Sequence, residues 1–308
     1  MANFIVVSPS QSTNGGNSGD LFVFRSGAIS GATLAGGSGA DTIELLVPTT
    51  SANGLSIDSN GGADVFTVSA QALSGSLIAG AGGDTINLNG GNTLNNLALG
   101  AGSDSVLISG TLTISSDGSI KGGGGADIIS GVGANVLSGA SLLMGAGKDT
   151  IILSATLNSA QVVGGGGADV LDLDSNDAGS GSTIKGGAGL DTIDLAGNYT
   201  ATTINLGNGS DNLTVSASTI SLTGAILGGN GADIISGNAE SYSDISGFTI
   251  GGGAGKDTIT VAEYGSAGEG GLLIGGGGND SITLDSNAAA AFLVADTAGV
   301  VGQFSAGA

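Results

Sequence analysis

The chain has no cysteine and no histidine. Disulfides, thiolate chemistry, zinc and copper sites of the usual kind, and every triad or general-base scheme that needs imidazole are therefore excluded. Tryptophan is absent, aromatic residues make up 3%, and only two prolines occur in 308 residues. An interior with so few rings is thin. Basic residues are nearly missing: Arg25, Lys121, Lys148, Lys185 and Lys256 face 26 acidic residues, for a formal net charge of −21. With no basic patch to neutralise phosphates, the chain is expected to avoid nucleic acid and anionic lipid and to favour a cationic partner. Residues 1–9 lack a basic n-region, and their apolar run is too short for a signal peptide or a membrane span. No membrane insertion is expected, and any export would use another route.

Glycine is abundant instead, at 63 residues. Collagen is ruled out because there is no Gly-X-Y period and little proline. A hydrophobic content of 40% argues for a packed interior rather than disorder. The glycines belong to one phrase, cleanest as Gly122-Gly123-Gly124-Gly125-Ala126-Asp127 followed by Ile128-Ile129. Aligned on its aspartate, the phrase recurs at Asp20, Asp41, Asp64, Asp84, Asp104, Asp127, Asp149, Asp169, Asp191, Asp211, Asp233, Asp257 and Asp280, every 20 to 24 residues. A period this regular is a structural repeat and takes precedence over any local reading.

Two residues after each Asp the chain is always apolar, from Phe22 and Ile43 through Ile129 to Ile282, and four after it is apolar in eleven copies. That alternation marks a strand with one buried face. Seven before Asp lies a second apolar column, Leu34 to Leu273, in twelve copies. The unit is strand, glycine turn, strand, variable loop. We expect an all-β parallel β-roll or β-helix solenoid of about thirteen coils and two parallel sheets, stacked about 4.8 Å apart over on the order of 60 Å. No coil buries its apolar face alone, so stability comes from neighbours. Residues 13–287 form this solenoid. Residues 1–12 read as an N-terminal strand or cap, and residues 288–308 as a degenerate last coil or tail, serving as secretion signal or assembly contact. The loops at 47–53, 236–247 and 262–271 vary, so one edge is regular and the other decorated.

Glycine stands two before Asp in twelve copies and four before it in twelve. Torsions closed to other residues, or a close main-chain approach, explain the glycines but not the aspartate. Carboxylates stacked at the coil spacing repel by roughly 3 kcal/mol per pair at an effective dielectric near 20. Five basic residues cannot offset such a column, whereas calcium, which takes six to eight carboxylate and carbonyl oxygens, can.

In this turn the chain resembles the RTX, or hemolysin-type, calcium-binding family, whose Gly-Gly-x-Gly-x-Asp-x-apolar-x nonapeptide builds a parallel β-roll with ions between turns. Seven copies match the core in full, ending at Asp41, Asp127, Asp169, Asp191, Asp233, Asp257 and Asp280; those ending at Asp84, Asp104, Asp149 and Asp211 lack only the first glycine. The copies ending at Asp20 and Asp64 depart further. The resemblance implies calcium ligands at these aspartates and at turn carbonyls near Gly37, Gly39, Gly123, Gly125, Gly165, Gly167, Gly187, Gly189, Gly229, Gly231, Gly253, Gly255, Gly276 and Gly278. In the family the motif returns every nine residues. Here it returns near 22, which predicts one row of up to about twelve Ca²⁺ on one edge only.

No residue breaks the repeat in the way a catalytic cleft requires, so no enzyme is expected. The expected function is structural: self-assembly, lateral or end to end, into an extracellular surface layer (S-layer) or filament. The family resemblance implies type I secretion. The alternatives are a phage or virus virion decoration or fibre protein, and a secreted adhesin-like module. The expected partner is the chain itself, with cell-surface or virion components beside it.

Overall fold

A computed structural model describes residues 4–6, 12–24, 31–46, 52–69, 73–216, 223–237, 249–261, 272–284 and 292–294. It divides into two compact units, Met1–Ala155 and Thr156–Ala308. Among the described residues there are strands and turns and no helix. Each unit is a parallel β-solenoid of two sheets with a period near 22 residues.

In the first unit one sheet pairs the strands Phe4–Val6, Leu21–Phe24, Thr42–Leu45, Val65–Val68, Thr85–Leu88, Ser105–Ile108 and Ile128–Ser138 in that order, all parallel. The other pairs Ser12–Asn14, Thr33–Ser38, Ala52–Gly61, Leu73–Ala81, Gly91–Ala101, Thr111–Gly124 and Ser141–Ala146. Where the link between sheets is short, the chain bends round as strand. Ile128–Ser138 thus joins the first sheet at its start and the second near its end, through Thr113↔Val136. The second unit repeats the plan, with Thr192–Asn208 serving both sheets. There Phe292–Val294 pairs in parallel with Leu272–Ile274.

The core follows the two apolar columns of the repeat. Every residue two after a motif Asp is buried, and so are the twelve residues seven before one. Glu44, Thr85, Asn87 and Asp172 alternate outward. Parallel sheets demand this regularity, because a slip of one residue would carry every Ile and Leu to the solvent face. Most of the decorated edge, 47–51, 238–247 and 262–271, lies outside the described residues, as do 1–3, 7–11 and most of 285–308.

Candidate functional site

Strand parity decides where the motif aspartates point. In Thr42–Leu45 the buried residues are Ile43 and Leu45, so Asp41, two before Ile43, faces the same interior. The same holds down each column. Twelve of the thirteen, Asp20 through Asp257, are no more than 2% exposed, and Asp280 is half-buried. The turn edge thus carries carboxylates directed inward.

These side chains form a ladder. The backbone N–H of Asp20 donates to Asp41 Oδ1 at 2.7 Å, Asp41 to Asp64 at 2.7 Å, Asp64 to Asp84 at 2.8 Å, Asp84 to Asp104 at 2.7 Å, Asp104 to Asp127 at 2.9 Å and Asp127 to Asp149 at 2.8 Å. In the second unit the same bond runs from Asp169 to Asp191, Asp211, Asp233, Asp257 and Asp280 at 2.8 to 2.9 Å. Asp20 and Asp64, whose turns depart from the motif, are rungs like the rest. One carboxylate oxygen per coil therefore secures a buried amide that the glycine turn leaves without a strand partner.

The other oxygen is handled differently. In Asp41, Asp64, Asp84, Asp104 and Asp127, and in Asp191, Asp211, Asp233, Asp257 and Asp280, Oδ2 is buried without a hydrogen-bond partner. It rests over the first glycine of the motif: a Cβ built on Gly122 would lie 2.7 Å from Asp127 Oδ2, and one on Gly228 2.7 Å from Asp233 Oδ2. This explains why the position five before Asp is so often glycine. Where it is Ala79, Leu99, Met144 or Leu206, that side chain is fully buried instead.

The predicted turn glycines all hold φ between 105° and 145°. At Gly125, with φ of 126°, an added Cβ would fall 1.7 Å from the carbonyl oxygen of Gly102 one coil earlier, so both torsion and stacking demand glycine. Asn60 alone replaces glycine four before Asp, and it adopts φ of 67°, a region asparagine tolerates. The turns are stitched along the stack: the Gly102 amide donates to Gly124 O and the Gly125 amide to Ala146 O. The carbonyl three before Asp is thereby occupied. The carbonyl two before Asp lies over the matching glycine of the next coil, in a column of its own.

Electrostatics follow from burial. Asp84, Asp127, Asp191 and Asp257 are pushed up to about 6, first by desolvation, against the amide hydrogen bond that favours the charged form, and further by the charges of neighbouring rungs. Asp41, Asp104, Asp211 and Asp233 are raised for the same leading reason. The column costs free energy when charged and without a counter-charge. The orphaned oxygens and the hard, oxygen-only donor set suit calcium. However, no three acidic side chains converge into a metal-binding group among the described residues, so an ion would complete its shell from main-chain carbonyls and water.

Sequence reasoning missed the inward direction of the aspartates, although the parity of Asp with the buried residues two and four after it carries that information. The formal charge of −21 therefore overstates the exterior, because burial of twelve acids leaves it much less acidic. No family model matches the chain, and no curated protein matches it. What stands on the geometry is a parallel β-solenoid with a stacked aspartate ladder.

Proposed function

We propose that the chain is a non-enzymatic structural protein whose buried aspartate column is neutralised by calcium and which self-assembles outside the cell as a surface layer or filament. The observation that carries this reading is the run of orphaned Oδ2 atoms, in Asp41 through Asp127 and Asp191 through Asp280, with no buried basic side chain among the described residues. A divalent cation on these oxygens leaves the amide–Oδ1 ladder intact. Asp41, Asp84, Asp104, Asp127, Asp149, Asp169, Asp191, Asp211, Asp233, Asp257 and Asp280 would hold the row, with Asp20 and Asp64 now joined to it by the same ladder. The likeness to RTX turns is part of this proposal, as is type I secretion. In a calcium-poor cytoplasm the repelling column keeps the chain loose, and outside the cell binding favours the fold by mass action. A virion subunit remains the second reading of a self-assembling solenoid, and a secreted adhesin-like module the third.

The decisive measurement is calcium per folded chain by elemental analysis, paired with thermal unfolding in calcium and in chelator. We expect about ten ions per chain and a large fall in melting temperature when they are removed. A chain that holds none, with a melting curve indifferent to calcium, would sink the ionic row.

A further inference from the structure

Burial of the column changes where charge lies on this molecule. Outside the column, residues 1–155 carry Glu44, Asp58 and Asp117 against Arg25, Lys121 and Lys148, a balanced set. Residues 156–308 carry ten acids outside the column against Lys185 and Lys256. The acidity belongs to the second unit.

On one sheet of the first unit the outward charge ends at Glu44, which pairs with Thr67, and the coils beyond it carry none. The strands Val65–Val68, Thr85–Leu88, Ser105–Ile108 and Ile128–Ser138, with residues 150–154, turn outward only hydroxyl, amide and apolar side chains. Among these stand large apolar groups that the fold leaves open: Val65 at 37% exposure, Leu107 at 48%, Ile128 at 45%, Val132 at 75% and Ile152 at 43%. The register sets Leu107 between Asn87 and Ser130, and Ile128 beside Ser105. Large and small side chains therefore alternate across neighbouring coils, which is the relief that interdigitating faces need. The matching face of the second unit opens with exposed Asp172 beside Asp194 and Asp174 two residues along, and its later coils, from Asn212–Val215 on, turn no acid outward.

We infer that the uncharged stretch of this first-unit sheet, centred on Leu107, Ile128 and Ile152, packs against the same stretch of a second copy of this chain. This rests on the self-assembly reading above and names its contact surface. Charge selects the occupant. A contact between identical patches must be complementary to itself, and an acidic patch meeting its own copy repels, whereas a neutral one does not. In a chain of net charge −21 with five basic residues, a face without carboxylates that also exposes large apolar side chains is one on which two copies meet without repulsion. Five coils about 4.8 Å apart and five residues of about 3.3 Å give on the order of 400 Å² per copy. A standard interface buries about 800 Å² per partner. A single contact is therefore reversible, and repetition across many copies holds the assembly.

The test uses the full chain in calcium, followed by sedimentation over a wide concentration range. Wild type is expected to associate reversibly. Ile128→Lys and Ile128→Glu each oppose like charges and should weaken association tenfold or more, with circular dichroism and melting temperature unchanged because the side chain is exposed. Mixing the two variants should restore association, and Leu107→Lys with Leu107→Glu should behave alike. Variants that associate as wild type does would overturn this face while leaving assembly standing, and so would mixtures that stay monomeric. Wild type that remains monomeric at every concentration would overturn assembly itself and this inference with it.

Discussion

A motif aspartate does two things with its two oxygens, and substitutions can separate them. Asp127 Oδ1 accepts the Asp104 amide, while Oδ2 sits buried over Gly122 without a partner. Asp127→Asn keeps an acceptor for the amide and removes the charge. Asp127→Ala strands a buried N–H at a cost of about 1–3 kcal/mol. In chelator, therefore, Asn should be neutral or stabilising at pH 7 and Ala destabilising. The pH dependence has a definite sign. A carboxyl whose folded value is about 6, against 3.8 for the ordinary side chain, holds its proton more firmly in the folded state. Its contribution to stability is complete below about pH 4 and is lost as pH rises through about 6. The chelated wild type should thus melt lower at pH 7 than at pH 5, with a smaller difference in Asp127→Asn. Equal melting temperatures at both pH values would show that the column is not desolvated. Half of this site was legible in the sequence. The glycines and the aspartate stood out by their spacing, but the direction of the carboxylate followed only from its phase with Ile129, and the packing of Oδ2 on Gly122 needed the fold.

The coil is the unit of construction because its bonds go to its immediate neighbours. The Ile128 amide donates to Asp104 O, and the Thr150 amide to Asp127 O, each at 2.8 Å. Excision of residues 105–127 joins Asp104 to Ile128 and offers the Asp104 amide the carboxylate of Asp149 in place of Asp127. Nearest-neighbour stability predicts that this shortened chain keeps its parallel-β dichroism and a cooperative melt within a few degrees of wild type. Removing residues 105–115 instead breaks the phase of both apolar columns, and that chain should not fold. Failure of the in-period excision would show that the coils are not interchangeable. The fold was readable at this scale because inward positions repeat thirteen times and one copy corrects another. The links between sheets were not, since each has its own length and sequence. The bend that lets Ile128–Ser138 reach the second sheet shows no shared pattern.

For the molecule as a whole, composition gives a formal charge of −21, yet twelve of the acids behind it lie in the interior. A buried, unpaired carboxylate is costly, and either a proton or a metal ion would relieve that cost. The two outcomes carry different charge. Neutralisation of twelve carboxylates by protons, which needs a pH below about 6, leaves the folded chain near −9, while about ten calcium ions, the number the proposal requires, bring it to roughly −1 at pH 7. Electrophoretic mobility distinguishes these values, read at pH 5 in chelator for protons and at pH 7 in calcium for the ion row, with chelated and unfolded chain at pH 7 as the −21 reference. We expect mobility close to zero in calcium and a large increase when chelator and denaturant are added together. A folded chain in calcium that migrates with its full formal charge would mean that the aspartates are solvated, and the ladder would then be a turn motif without an ion row.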